Sequence, residues 1–182
     1  MSTSGKAINV RQLANSMLTA IVAHYATAEG QPLPDRRYVA PGENRASAWD
    51  CEQLTVSLGG IGWGQNIDAA PNASRRGTPT SVFAVRHAVL YAQLVRCIHV
   101  SDSRGQPPKV EDLQGDGDQF MLDAGLLSQA MVSWASTVDR TLEQDDPLNG
   151  SVQLGVVEGI GPSGKYVGAE VSAIVTCAGL EP

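Results

Sequence analysis

Residues 81–100 read SVFAVRHAVLYAQLVRCIHV, and their apolar side chains fall on both parities of a two-residue period. Phe83, Val85, Val89, Tyr91 and Val95 occupy one parity, and Val82, Ala84, Ala88, Leu90, Ala92 and Leu94 the other. Strands buried on both faces read this way, so the segment predicts a central strand, or one whose second face a neighbouring subunit covers. A helix is the rival reading for Ala88 to Leu94, but β-branched and aromatic side chains with no cap favour the strand.

Upstream, Leu54, Val56 and Leu58 alternate with Gln53, Thr55 and Ser57, the period-2 mark of a strand from Cys51 with one face buried. It runs into Gly59-Gly60-Ile61-Gly62-Trp63-Gly64, read as a flexible strand end, and then into a long loop, 65–80, with Pro71, Arg75, Arg76 and Pro79. A loop of that length inside a domain is usually functional or disordered. Earlier still, Arg36 to Val39 is a short candidate strand. Val10 to Ala28 carries Val10, Leu13, Met17, Ala20, Ile21 and His24 at helical spacing behind Asn9 and Gln12, a capping-box-like start. Gly30, Pro32 and Pro34 end that helix.

Downstream, Ser101 to Asp118 reads as turns, with Pro107-Pro108 and Gly115-Asp116-Gly117. A second helix follows, capped by Asp118, whose stripe is Phe120, Ala124, Leu127, Met131, Trp134 and Val138. Alternating Val152, Leu154 and Val156, a turn at Gly161-Pro162-Ser163-Gly164, and alternating Val167 to Val175 predict a C-terminal β-hairpin. The fold class is α+β: a mostly antiparallel sheet flanked by two helices.

The chain has 182 residues, 42% of them hydrophobic, which predicts a single domain over 1–182 with free ends at 1–8 and 179–182. Its first ten residues hold one Lys and no apolar run, and no stretch approaches a membrane span, so neither a signal segment nor a membrane partner is expected. Three widely spaced cysteines, Cys51, Cys97 and Cys177, fit reduced thiols in a cytoplasm. The formal charge of -6 disfavours tight binding to a phosphate backbone.

Motifs with chemistry fall short of their requirements. Gly159-Ile160-Gly161-Pro162-Ser163-Gly164-Lys165 fits a phosphate loop until Tyr166, where a Ser or Thr and a helix start are required. Gly59 to Gly64 opens no helix, so the dinucleotide fingerprint fails. Asp116 and Asp118 begin a calcium-like loop that Leu127 cannot close. Cys97 and His99 lack a second ligand pair, and His24 and His87 are isolated. His99, Ser101 and Asp102 are too close together for a triad, and Glu111-Asp112 and Asp145-Asp146 read as charged turns. The expectation is no enzyme, no metal and no cofactor.

The order of elements, with the phrases Asp50 to Val56 and its Gly-Trp-Gly sequel, Arg86 to Ile98, the helix after Gly115-Asp116-Gly117 and the Gly159 to Gly164 hairpin, resembles the tail terminator proteins of long, non-contractile-tailed bacteriophages (siphophages), particularly those of actinobacteria. The resemblance covers most of residues 8 to 178. It implies a ring-forming α+β subunit, six to a ring, that caps the head-proximal end of the tail tube, stops its polymerisation and joins it to the head-tail connector. The implied partners are copies of the chain, the major tail tube protein on one face and the connector or stopper protein on the other, with genomic DNA passing through the lumen without specific binding. The implied location is the neck of the virion, assembled in the host cytoplasm.

A ring subunit buries surface against two neighbours. Candidate interface residues are Val85, Val89 and Tyr91 on the two-sided strand, Pro162, Ser163 and Lys165 at the hairpin tip, Val167 and Val171 on its second strand, whose edge is a candidate for pairing across subunits, and Arg75 and Arg76 in the long loop. Glu43, Asp50, Asp68 and Asp116 are loop acids that would suit an anionic lumen. The alternatives are another neck protein, of the head-completion or stopper type, and a small nucleotide-binding enzyme using Gly159 to Lys165.

Overall fold

The structure, a computed structural model, describes residues 8–28, 32–40, 52–63, 86–145, 150–163, 165–177 and 180–181. In chain order these form β1 (Ile8–Asn9), α1 (Val10–Thr27), β2 (Arg36–Ala40), β3 (Gln53–Trp63), β4 (Arg86–Cys97), α2 (Val110–Asp145), β5 (Ser151–Ser163), β6 (Tyr166–Cys177) and β7 (Leu180–Glu181). Five strands make one sheet in the order β2-β3-β4-β6-β5, antiparallel except for the parallel pair β2 and β3. The fold is α+β, with two helices and a mostly antiparallel sheet.

β4 is the middle strand, as its two apolar parities require. Ala88, Leu90, Ala92 and Leu94 face the helices and are wholly buried, together with Leu54 and Val56 of β3 and Ala169, Val171, Ala173 and Val175 of β6. Against this face α1 sets Val10, Leu13, Met17, Ile21 and Tyr25, and α2 sets Leu127, Ala130, Met131 and Trp134. The Trp134 indole N–H donates to Ser16 Oγ at 2.9 Å, joining the two helices.

α1 starts where the capping signal placed it. Asn9 is extended, and its side-chain oxygen accepts from the backbone N–H groups of Arg11 at 2.9 Å and Gln12 at 3.2 Å. Asn9→Ala leaves those donors to water, so chemical denaturation is expected to show a loss of about 1 kcal/mol. The helix ends at Ala28, whose extended backbone donates to Tyr25 O; Gly30 lies outside the described residues.

Several expectations are corrected. α2 begins at Val110, well before the predicted Asp118 cap, so Gly115-Asp116-Gly117 is helical. Glu111 and Asp112 in the first turn complement the helix dipole. Glycine costs about 1 kcal/mol in a helix interior, but a helix anchored by tertiary packing further along carries that cost. β3 does not stop at its glycines: it continues to Trp63 with a bulge between Leu58 and Gly60. A Cβ on Gly59 would lie 2.3 Å from the Tyr91 ring, and one on Gly62 would lie 2.4 Å from the His87 ring, so these glycines let cross-strand rings lie down on the sheet.

The polar parity of β3 is not solvated, because Gln53, Thr55 and Ser57 are as buried as Leu54 and Val56, and Gln93 joins them from β4. Nor are the ends free at Ile8, Leu180 and Glu181. β1 pairs in parallel with β7, and Leu180 is fully buried in the core, its carbonyl accepting from Arg86 at 2.7 Å. The thiols are not all reduced either. Cys97 is disulfide-bonded and Cys177 is a buried thiol; Cys51 lies outside the described residues.

Candidate functional site

The densest polar cluster ties the fold together. Arg96, at the end of β4, donates to Asp123 of α2 through Nε at 2.9 Å and Nη2 at 3.1 Å, a bidentate pair. Its Nη1 donates to Glu52 at 3.1 Å and its Nη2 also to Pro32 O at 2.8 Å. Glu52, at a positive φ of 62°, turns its other oxygen to accept from Cys97 N–H at 3.0 Å. Tyr25 of α1 donates its hydroxyl to Asp123 O at 3.0 Å.

Burial opposes the charged guanidinium of Arg96, and the Asp123 and Glu52 carboxylates outweigh it, holding its proton more tightly than usual. Burial, reinforced by Asp123, pushes the Tyr25 phenol above its ordinary value. Arg96 and Asp123 together thus tie both helices to β4 and to the residue that leads into β3. Asp123 is 1% exposed and Arg96 8%, so the cluster is a buried cross-link between the elements that carry it.

The motifs weighed in the sequence find mundane places. Lys165 and Tyr166 lead into β6, not into a helix, so Gly159 to Lys165 has no helix N-terminus to offer a phosphate. Cys97 is committed to its disulfide. His99 and Asp116 bond to each other, Nδ1 to Oδ1 at 3.0 Å, while the His99 N–H donates to Oδ2 at 2.8 Å, which makes Asp116 a helical anchor for the chain leaving β4. His24 Nε2 lies 3.4 Å from Gln129 Oε1. His87 is half-buried on β4, its imidazole pKa lowered by burial. Among the described residues no three His, Cys, Asp or Glu side chains converge as a metal cluster, and no helix is long and apolar enough to cross a membrane.

The candidate interface residues separate. Val171 is 2% exposed beneath the helices and offers no surface to a neighbour, which corrects its assignment. β6 is an interior strand, its edges taken by β4 and β5, so the Val167 to Val175 edge cannot pair across subunits either. Val89, Tyr91 and Val167 are half-buried; Val89 and Tyr91 lie on the sheet face away from the helices. Pro162 and Lys165 are exposed at the hairpin end, where the backbone of Ser163 pairs with Tyr166. Lys165 O accepts from Ile98 N–H at 2.9 Å. Val85, Arg75, Arg76, Glu43, Asp50 and Asp68 lie outside the described residues.

Sequence reasoning missed two surfaces. Among the described residues the sheet's open edges are β2 and β5, and β5 carries Val156, 73% exposed, between Leu154 and Val157 where the register shifts. On α2, Val110, Met121 and Val132 are all exposed. They recur every eleven residues, about three helical turns, so they form one line along the helix. That spacing was visible in the sequence, whereas the edges required the strand order. The chain matches no protein-family model, and no curated protein is significantly similar to it.

Proposed function

We propose that the chain is a structural virion protein of the tail terminator type. Six copies form a ring that caps the head-proximal end of a phage tail tube, ends its polymerisation and docks to the head-tail connector. The resemblance in element order supports this reading, and one structural observation carries it: a five-stranded sheet with two open edges among the described residues, one on each side of the sheet. Closed rings need two different surfaces per copy that meet head to tail. The exposed apolar line on α2 and Val156 on β5 add surface of the kind that association buries. Another neck protein is the nearest rival; such proteins are more strand-dominated than a chain with an 18-residue α1 and a 36-residue α2.

Native mass spectrometry with negative-stain imaging across a concentration series tests the reading. Closed hexameric rings are the expected result. A twofold dimer, whose self-complementary contact leaves no surface for a third copy, would overturn it.

A further inference from the structure

The outward face of α2 is apolar along one line and acidic beside it. Val110, 74% exposed, Met121, 68%, and Val132, 55%, span about 33 Å at a rise of about 1.5 Å per residue. Apolar side chains ordered in this way on an exposed helix face are what a packing partner covers. Gly117 and Gly125 stand four residues on either side of Met121, and a Cβ at either would meet nothing within 4 Å. Each costs the helix about 1 kcal/mol relative to alanine. Their bare backbone lets a neighbouring helix approach closely on both sides of the Met121 side chain.

Charge narrows the partner. From Val110 to Asp139 the sequence holds six acids and no Lys, Arg or His. Asp116 is bonded to His99, Asp123 to Arg96, and Asp139 accepts from Val152 N–H. Glu111 and Asp118 are exposed, and among the described residues no ion pair reaches them. Seven residues apart, they stand two turns from each other in a row beside the apolar line. Asp118 also neighbours Met121 and Leu122, three and four residues further on, both exposed.

These acids repel a phosphate backbone and an anionic bilayer surface. A second copy would bring the same stretch, with no cation in it to answer them. A cationic polypeptide does answer them, and one that is also apolar at helical spacing covers the line.

We propose that this face of α2 docks a basic amphipathic helix of a partner protein. The partner's apolar side chains lie on Met121 and Val132, and its lysines or arginines face Glu111 and Asp118. A helix of about six turns matches the length of the line. The inference goes beyond the ring reading and makes no use of the sheet edges.

The probe is a fluorophore-labelled synthetic peptide of leucine and lysine, its leucines at helical spacing, titrated with the whole chain and read by anisotropy. One control peptide has the same composition in scrambled order, and a second has glutamate in place of lysine. Saturable binding of the patterned lysine peptide alone is expected. A Met121→Gln, Val132→Gln variant, changed at exposed positions, is expected to bind it about tenfold or more weakly without a lower thermal melt. A Glu111→Lys, Asp118→Lys variant is expected to lose the lysine peptide and gain the glutamate one.

No binding, equal binding of the scrambled peptide, or an affinity that ignores both variants would overturn the proposal. Self-association of the wild type that Met121→Gln, Val132→Gln abolishes would overturn it as well, and assign the face to a second copy. Native mass spectrometry reads ring formation without the peptide, so either reading can fail alone.

Discussion

Replacing Arg96 with alanine is expected to cost about 3–5 kcal/mol of stability, the range for breaking a buried ion pair from one side. The loss exceeds that of any one hydrogen bond because Asp123, 1% exposed, is left charged and unpaired, and Pro32 O loses its donor. Asp123→Ala is expected to cost a similar amount, leaving the buried guanidinium only the half-exposed Glu52 carboxylate and Pro32 O and taking one of the Tyr25 hydroxyl's two acceptors. The two effects do not add. An Arg96→Met, Asp123→Leu double variant removes both charges and is expected to recover much of the loss, since buried pairs often yield to apolar residues of similar volume at little cost. Equilibrium urea unfolding of wild type, Arg96→Met, Asp123→Leu and the double variant measures the coupling; additive losses would show that the two side chains act separately.

The second large effect lies in the sheet. Gly168 of β6 sits opposite Val95, and a Cβ there would lie 2.3 Å from Leu94 O and 3.1 Å from Val95 Cα. Both neighbours are backbone of the central strand, which has no rotamer to change. Gly168→Ala is expected to cost about 3 kcal/mol, the upper part of the usual range for overpacking. Gly155→Ala is the control: its Cβ would meet the Ser172 hydroxyl at 2.3 Å, a group that swings aside, and a loss below about 1 kcal/mol is expected. Thermal melts of both variants at one concentration make the comparison, and equal losses would contradict it.

Where each element stood in the sequence depended on how local its cause was. Asn9 announces α1 because its cap is made within three residues. The parity of Ala88 to Leu94 announces a central strand because burial on two faces needs apolar residues on both. The start of α2 was hidden, since the glycines at 115 and 117 argue locally against a helix that packing elsewhere sustains. The buried polar row of Gln53, Thr55 and Gln93 was hidden as well, because alternation reports which side chains are apolar and not which are covered.

The assignments of Val171 and of a β6 edge failed for a topological reason. Val171 and the strand around it read as an edge in a lone hairpin, and become interior once β4, distant in the chain, pairs with β6 from Arg86↔Cys177 to Cys97↔Tyr166. No local pattern carries that pairing. The edges among the described residues, β2 and β5, flank strands that the sequence places far apart.

The most direct measurement mixes the purified chain with a polymerising tail tube protein and images tube length and tube ends. Tubes are expected to stop growing as the chain is added, with one ring at a single end of each. Tubes that lengthen undiminished, with no added density at either end, would contradict the terminator reading.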